Sequence, residues 1–330
     1  MNSDHAANSE SAMSRRDFVA RSTRAGLAVA ALAAGAAALY DGRGPSGRQN
    51  QTSVSLPGFA VPGVGAKLSI MTGTDRSDTV LRAFKALGGI EQFIKPGDRV
   101  VLKVNAAFAS PPSLCATSHP DLVAAVARLC LGAGASSVVV TDNPINDPAC
   151  CFALTGIAKA AQSAGARLAL PDTSAFKPAS VPGGRLIKDW PLLFEPLRNA
   201  TKLIGLAPVK DHHRSGASLS MKNWYGLLGG RRNIFHQDIH TTILELATLV
   251  QPTLVILDGT NTMIANGPTG GSLSDLKPTN TMIVSTDQVA ADAFAATLLA
   301  KTPAELPFLA KAAAAGLGTV DWESLKPSRG

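Results

Sequence analysis

Apolar and polar positions alternate along this chain in blocks that predict strands and helices in turn. Residues 99–105 begin with a continuous apolar run, typical of a strand buried on both faces, and residues 75–94 place apolar side chains at helical spacing. The predicted strands are residues 67–72, 99–105, 137–141, 167–170, 202–208, 254–257 and 282–285. The predicted helices are residues 75–94, 119–131, 151–164, 238–250, 287–300 and 304–315. The pattern therefore predicts an α/β fold with a mostly parallel, doubly wound sheet and an Ala-rich helical C-terminus.

Two regions depart from this rhythm. Residues 171–200 contain five prolines and a Gly-Gly pair, so we expect a small antiparallel excursion there, with a separate subdomain as an open interpretation. Residues 41–66 are rich in Gly, Pro and Ser without periodicity, and they predict a flexible linker. The sequence therefore predicts one α/β domain over residues 67–330.

The first forty residues have the pattern of an export signal. Arg15 and Arg16 form a twin-arginine motif with Ser14, Asp17 and Phe18, and an Ala- and Gly-rich apolar run follows. Residues 1–40 thus predict passage through the twin-arginine translocon to a periplasmic or extracytoplasmic location. The run is too mild for a stable membrane span, so an uncleaved membrane anchor is the alternative.

Composition narrows the classes of partner. The chain has 330 residues, 45% hydrophobic and 17% charged, with a net charge of +7, which indicates a globular protein with a mild basic excess. No run of Lys and Arg interleaved with aromatic residues occurs, so the sequence argues against nucleic-acid binding. A small anionic molecule is the partner that this charge favours.

The cysteines exclude several cofactors. Cys115, Cys130, Cys150 and Cys151 include no C-x-x-C pair, so a zinc ribbon or an iron–sulfur cluster is not expected. Buried thiols are the favoured interpretation, and one disulfide is the alternative. No glycine-rich nucleotide fingerprint follows a predicted strand, which disfavours a dinucleotide-binding protein.

Residues 210–240 concentrate groups that bind ligands and transfer protons. They hold four of the six histidines of the chain and follow a predicted strand directly. His212, His213 and Lys222 are the candidate catalytic residues, because imidazole and a desolvated amine both exchange protons near neutral pH. Only one of the two adjacent histidines need face a cleft, since successive strand side chains point to opposite sides. A solvated polar loop, and a lysine that reaches out of the core, are the alternatives.

The same stretch supplies further candidates. Lys210 and Asn223 are candidates for binding substrate or a cofactor of unknown type, and His236 is a candidate ligand for a metal. The segment HQDIH resembles a zinc-protease helix but has Gln where that helix needs a Glu base, so the likeness is superficial. His240, about 100° around the predicted helix from the apolar seam at Ile239, is expected on the helix surface. Asp292, alone among alanines, either ties its helix to the site or lies at a boundary.

Polar side chains follow several predicted strands. Lys103, Asn105, Asp142, Asp258 and Asn266 all lie at or after strand ends. Because parallel strands present their carboxyl ends to one edge of a sheet, we expect these residues to meet there and contact substrate or cofactor. For the two aspartates, turn capping is an equally weighted alternative.

These segments resemble a known family, the bacterial and archaeal proteins called domain of unknown function 362. The matching segments are KPGDRVVLKVN, the His119-Pro120 helix start, VVVTDNP, APVKDHH, SMKNWYGLLGG, VILDGT, NGPTGG and STDQVAADAF. The resemblance covers most of residues 67–300. It implies twin-arginine export but no settled activity, and the ferredoxin-type cysteines that some members append are absent here.

A fainter resemblance concerns the order of site residues. In the nickel-pincer lactate racemase family, a catalytic His, a Gly/Ser-rich run, a Lys that carries the pincer nucleotide, a Gly turn and a nickel-ligating His follow one another. His212, Lys222, Gly229-Gly230 and His236 are similar to that order. The GTH segment of that family has no match here, because the corresponding strand ends in residues 142–144, DNP.

Two hypotheses of function follow. The first is an exported, metal- or cofactor-dependent enzyme that acts on a small anionic substrate through His and Lys side chains at strand ends. The second is a periplasmic binding or accessory protein that holds a small anion or a metal without turning it over.

Overall fold

The computed structural model describes residues 14–39 and 52–330, and the chain divides into two compact units between Arg43 and Gly44. The first unit contains helix α1 (Arg15–Leu39). No helix within the described residues combines the length and the apolar character needed to cross a membrane. Residues 1–13 and 40 of the predicted signal, and residues 41–51 at the start of the predicted linker, lie outside the described residues.

The second unit is built on a nine-stranded sheet, counted within residues 52–330. The strands of the unit are β1 (Leu68–Thr72), β2 (Arg99–Lys103), β3 (Ser137–Thr141), β4 (Arg167–Ala169), β5 (Phe176–Ala179), β6 (Trp190–Leu193), β7 (Lys202–His212), β8 (Gly216–Ser218), β9 (Leu254–Met263), β10 (Leu276–Ser285) and β11 (Ser328–Arg329). The order across the sheet is β11, β1, β10, β9, β7, β2, β3, β4, and β8 pairs with β7. The run from β9 to β4 is parallel, whereas β10 is antiparallel to both of its neighbours.

Helices cover both faces of this sheet. They are α2 (Arg76–Ala86), α3 (Pro120–Gly132), α4 (Pro148–Leu154), α5 (Ile157–Ser163), α6 (Ser220–Asn223), α7 (Ile239–Leu249), α8 (Gln288–Leu298) and α9 (Pro307–Ala314). Along β2, Val100 and Leu102 belong to the core that contains Phe84 of α2, while Val101 belongs to the core that contains Trp224. Successive strand residues point to opposite faces, so a continuous apolar strand supplies both cores. The predicted doubly wound α/β class is confirmed.

Two predicted helices are wrong in extent because glycines interrupt them. The helix predicted over residues 75–94 ends at Ala86, and Gly88 and Gly89 follow with φ of 97° and 93°. The helix predicted over residues 151–164 is divided into α4 and α5 at Gly156, whose φ is 73°. Positive φ interrupts α-helical hydrogen bonding and is adopted easily only by glycine.

Three predicted strands are longer than expected. The strand predicted over residues 202–208 continues to His212, and those over 254–257 and 282–285 extend to Met263 and back to Leu276. The polar residues in these extensions hide the strand signal, but pairing between β9 and β10 satisfies their backbone groups. Asp258 therefore lies within a strand rather than at its end.

The Pro-rich segment 171–200 contains the antiparallel pair β5 and β6, as predicted for an antiparallel excursion. The structure differs from the predicted linker over residues 52–66. Phe59 is buried, and its N–H donates to the carbonyl of Gln251 at 2.8 Å, while Val54 pairs with Pro178. Apolar side chains spaced among glycines and prolines thus fix this segment on the domain without regular secondary structure.

The four cysteines are free thiols. Cys115, Cys130 and Cys151 are buried, but the prediction of a buried thiol is wrong for Cys150, which is exposed. Cys150 lies in the first turn of α4, where its N–H donates to the Asp147 cap at 2.8 Å. That turn faces solvent, and the apolar side of the short helix carries Cys151 and Phe152 instead.

Candidate functional site

A cavity of about 340 Å³ opens at the carboxyl ends of β2, β3 and β7. Nine residues identified from the sequence line it: Lys103, Asn105, Asp142, Lys210, His212, His213, Lys222, Asn223 and His236. Lys103, Asn105 and Asp142 meet because parallel strands present their carboxyl ends to one edge of the sheet. Helix α6 adds Lys222 and Asn223. Its volume lies in the range of about 300–1,000 Å³ typical of ligand pockets.

Two predicted site residues lie elsewhere. Asp258, in the middle of β9, accepts a hydrogen bond from Arg76 Nε at 2.6 Å, because its side chain faces α2 and not the cavity. Asn266 donates to Asp275 Oδ1 at 2.6 Å in the loop after β9. Pro268, two residues later, lines the cavity in its place.

Lys103 is the centre of a buried polar network. Its Nζ lies 2.7 Å from Asp142 Oδ1 and donates to the Val104 carbonyl and to Asn223 Oδ1 at 2.7 and 2.9 Å. Asp142 Oδ2 accepts from the Ala106 N–H at 2.7 Å. Burial lowers the pKa of Lys103, and the neighbouring Asp142 carboxylate opposes that shift.

Gly226 makes this network possible. A Cβ at that position would come 2.0 Å from Asp142 Oδ1 and 2.5 Å from Lys103 Nζ. The backbone of the 3-10 turn after α6 therefore packs directly against the ion pair. Beside it, Asn105 is 8% exposed and its Oδ1 has no hydrogen-bond partner among the described residues. The cavity thus offers an unused acceptor next to its cations.

Lys222 differs from Lys103 in having no counter-charge. It is 8% exposed, and within the described residues its Nζ makes no hydrogen bond or ion pair and only lies over the Tyr225 ring, 5.2 Å from the centroid. Burial lowers the pKa of Lys222 to about 7, and the nearby charges of Arg232 and Lys103 add to that shift. The neutral amine and the ammonium are therefore both populated near pH 7.

Lys210 shares this environment but is held differently. Its Nζ donates to the Ala116 and Pro268 carbonyls at 2.5 and 3.1 Å and lies over the Phe108 ring. Burial lowers the pKa of Lys210 to about 7, followed by repulsion from Lys222. Neutral carbonyls orient this ammonium without cancelling its charge.

Three histidine rings form a stack at the cavity wall. The His212 ring lies between His213, at 5.0 Å and 9°, and His236, at 5.8 Å and 10°. Nδ1 of His212 accepts from the Arg214 and Ser215 N–H groups, so its proton is on Nε2. Burial and Lys222 lower the pKa of His212 to about 2, which keeps the ring neutral. His212 is therefore a hydrogen-bond donor at its Nε2.

The other two rings of the stack have the opposite tautomer. His213 Nδ1 lies 3.3 Å from the Gly267 carbonyl, and His236 Nδ1 lies 3.3 Å from the Asn233 carbonyl and 3.0 Å from the Tyr225 hydroxyl. The Tyr225 hydroxyl itself donates to the Arg232 carbonyl, so Nδ1 of His236 must donate. Both rings carry an Nε2 lone pair that can accept a proton. Burial lowers the pKa of His236 to about 4.

These three side chains form no assembled metal site within the described residues. His212 Nδ1 accepts from two backbone N–H groups and its Nε2 carries a proton, whereas His213 and His236 each have an Nε2 lone pair. His236 as a metal ligand stays a prediction. Across residues 14–39 and 52–330, no three His, Cys, Asp or Glu side chains are grouped to hold a metal ion.

Arg232 and Tyr225 are cavity residues that the sequence analysis missed. The Arg232 guanidinium donates to four backbone carbonyls, those of Asn143, Pro144, Tyr225 and Leu228, at 2.7–3.3 Å. It thereby joins the segment after β3 to the turn after α6. In the sequence, only the position of Arg232 in an arginine pair after Gly229-Gly230 marks it as a candidate. The neighbouring residues do not indicate that it binds four carbonyls.

Asp292 fixes the element that carries Lys222. It is fully buried on α8, and it accepts from the Ser220 N–H, the Ser220 hydroxyl and the Met221 N–H at 2.8, 2.5 and 3.1 Å. Burial raises the pKa of Asp292 to about 7. Of the two alternatives, Asp292 ties its helix to the site. His240 lies outside the cavity, half-buried with its ring stacked on Phe308.

The fold and the cavity define a doubly wound α/β protein with a cation-rich cavity at its strand ends. The chain belongs to the family described as Domain of unknown function (DUF362), which matches residues 100–297. The resemblance stated from the sequence motifs is confirmed.

Known proteins show further similarity. A thylakoid-associated protein of Synechocystis sp. is 29% identical over 245 residues, which cover 70% of this chain and 72% of that protein. The lactate racemase apoprotein from Thermoanaerobacterium thermosaccharolyticum is similar at 12% identity and a TM-score of 0.41 over 77% of this chain. A Thermotoga maritima protein is similar at 10% identity and a TM-score of 0.38 over 70% of it. The match spans 60% of each of these two structures.

Proposed function

We propose that the protein is an enzyme that performs general acid–base chemistry on a small anionic molecule bound in the cation-rich cavity. The observation that carries this proposal is the unpaired amine of Lys222. Removing an ammonium from water without a counter-charge costs several kcal/mol, on the order of the penalty for any isolated buried ion. The fold keeps Lys222 buried despite this cost in free energy, which is expected if a bound ligand supplies the missing negative charge.

The charges around Lys222 favour an anion as that ligand. Lys103, Lys210 and Arg232 also line the cavity, and Asp142 is the one carboxylate among the lining residues. Because Asp142 is engaged by Lys103, the remaining positive charge is not cancelled. A cleft of one sign with low-dielectric walls concentrates ligands of the opposite sign.

Proton donors and acceptors lie around the same space. Within the described residues, the Nε2 lone pairs of His213 and His236 have no hydrogen-bond partner, and the Nε2–H of His212 is available to donate. We assign His236 or His213 as the base, Lys222 as the group that holds the anion and returns a proton, and His212 as a neutral donor to developing negative charge. Attachment of a cofactor to Lys222 stays a prediction of the fainter resemblance.

Anion affinity is expected to fall as the pH rises above about 7. The lowered pKa of Lys222 means that the free protein loses this proton near pH 7, while a bound anion stabilises the ammonium and raises the pKa again. Above pH 7 each binding event must therefore take up a proton, and the affinity for acetate should weaken by about tenfold per pH unit. Calorimetry at pH 7–9 in buffers of different ionisation enthalpy measures this uptake. A pH-independent affinity in this range contradicts the assignment.

Hydrogen exchange tests the proposed chemistry without knowledge of the product. We expect the protein in D₂O to introduce deuterium next to the carbonyl group of at least one member of a panel of oxo- and hydroxycarboxylates, detected by NMR. Lys222→Met should abolish this exchange. Binding of the panel without exchange identifies the alternative, a periplasmic protein that holds a small anion and does not turn it over.

We also propose that the protein is exported by the twin-arginine route. Arg15 and Arg16 are exposed at the start of α1, available to a translocon. Replacing both with Lys should retain the precursor in the cytoplasm, measured by fractionation of cells that express the full chain. Replacing Arg21 and Arg24 in the same helix with Lys is the matched control and should leave export intact. Equal export of both variants contradicts the proposal.

A further inference from the structure

The cation-rich cavity continues into a second hollow. A groove of about 420 Å³ shares six lining residues with the cavity, among them Ile145, Tyr225 and His236. A third hollow of about 410 Å³ shares Phe176 and Gly230 with that groove. The three spaces form one path along the surface, which we call the extended groove, starting at Lys222. A two- or three-carbon acid would fill only its first part.

The floor of the extended groove is bare backbone. Gly229 has no room for a side chain, because a Cβ there would lie 2.7 Å from the Phe176 ring, and Gly230 has a φ of 58°. The Gly229 carbonyl is occupied by Trp190 Nε1 at 3.0 Å, and its N–H by the Pro191 carbonyl. The backbone polar groups of Gly229 are thus satisfied, so Gly229 presents neither a side chain nor an unpaired backbone group to the groove.

The walls beyond the cavity include apolar and aromatic side chains beside polar ones. Ile145 is 66% exposed where the cavity and the groove meet, and Phe176 is half-buried on β5. The Tyr225 ring lies in the same wall. No Asp or Glu of the described residues lines the 420 Å³ space, whereas Asp172 lines the third hollow. Exposed large apolar side chains grouped at the mouth of a pocket mark a surface that a ligand covers.

We propose that the substrate is an anion that carries an aromatic ring, with its charged group at Lys222 and its ring on Ile145 and Phe176. This inference rests on the proposed function, because it uses the same cationic cavity for the charged end. A planar ring fits a groove with a backbone floor and aromatic walls, since rings pack by stacking or edge-to-face contact with Phe and Tyr. The cations fix one end of the molecule and the groove selects the other.

A pair of probe ligands tests the inference. Propionate carries only the charged group, whereas 3-phenylpropionate adds a ring that reaches the groove. For the full-length protein we expect the aryl compound to bind at least tenfold tighter by calorimetry, about 1.4 kcal/mol. Ile145→Ser and Phe176→Ala should each remove most of this advantage, and Phe176→Ala, which is outside the cavity, should leave propionate affinity unchanged. Ile264→Ser is the matched control, because Ile264 is 45% exposed and lies outside the groove. This variant should still bind 3-phenylpropionate more tightly than propionate.

The outcomes separate the two proposals. Equal affinity of both ligands for the unmodified protein, or an aryl advantage that survives Ile145→Ser and Phe176→Ala, overturns the aromatic substrate but leaves the anion site. Absence of binding by both ligands overturns the anion site itself. Thermal unfolding of each variant checks that a lost advantage does not come from a lost fold.

Discussion

Lys222→Met is expected to abolish anion binding and hydrogen exchange while the folded protein becomes more stable. Removing one partner of a buried ion pair costs about 2–5 kcal/mol of binding, and loss of a general acid or base lowers a rate by about 10²–10⁴-fold. Without ligand, however, the Lys222 ammonium has no partner in the described residues, so an apolar chain of similar length removes a desolvation penalty. We expect a gain of about 1–3 kcal/mol in the free energy of unfolding, measured by urea denaturation.

Lys210→Met is the matched control for this variant. Lys210 is also buried, but its ammonium donates to the Ala116 and Pro268 carbonyls, which would lose a donor. Buried acceptors left without a donor cost about 1–3 kcal/mol, so this variant should be less stable than the unmodified protein. A destabilised Lys222→Met, or one that binds acetate as the unmodified protein does, contradicts the assignment of Lys222 as the ligand's counter-charge.

Asp142→Ala is expected to have the largest effect on stability. It removes the carboxylate 2.7 Å from Lys103 Nζ and the acceptor of the Ala106 N–H, and it leaves a fully buried ammonium beside Arg232. Breaking a buried ion pair in this way costs about 3–5 kcal/mol, measured as a fall in the free energy of unfolding. Anion binding should be retained in the fraction that is folded, because the cations remain.

The double variant Asp142→Ala with Lys103→Met separates the ion pair from general packing. When both charges are absent, the unpaired ammonium no longer contributes, and we expect recovery of at least about 1 kcal/mol relative to Asp142→Ala. Additive losses in the two single variants and the double variant would show that the two side chains are not energetically coupled. The same denaturation measurement serves all three proteins.

Much of the fold was predictable from local pattern. The strands over residues 99–105 and 137–141 and the helix that begins at Pro120 were found because apolar runs and an N-terminal proline determine them within a few residues. The extent of β9 and β10 was not predictable, because their polar halves become strands only by pairing with each other. Residues 52–66 also have no local signal, yet Phe59 fixes them on the domain.

The candidate site divides in the same way. Lys103, Asn105 and Asp142 were identified because a parallel sheet presents strand ends at one edge, and the His and Lys side chains of residues 210–240 because they are concentrated after such a strand. The same reasoning was wrong for Asp258. Strand β9 extends six residues beyond its predicted end, so Asp258 lies inside the strand and faces Arg76. Arg232 was missed because its partners are backbone carbonyls, two in the turn just before it and two in the distant segment after β3.

The sequence by itself determined which chemical groups this protein has, namely amines and imidazoles at the strand ends of an α/β fold. Only the tertiary structure decided their states. Lys103 and Lys222 are both lysines in apolar surroundings, but Asp142 neutralises one and the other has no partner in the described residues. His212 and His236 differ in tautomer because of backbone amides and carbonyls around them. The charge of a buried lysine depends on residues far apart in the chain, such as Lys103 and Asp142. The tautomer of each histidine depends on how the backbone around it folds, so no sequence pattern specifies either state.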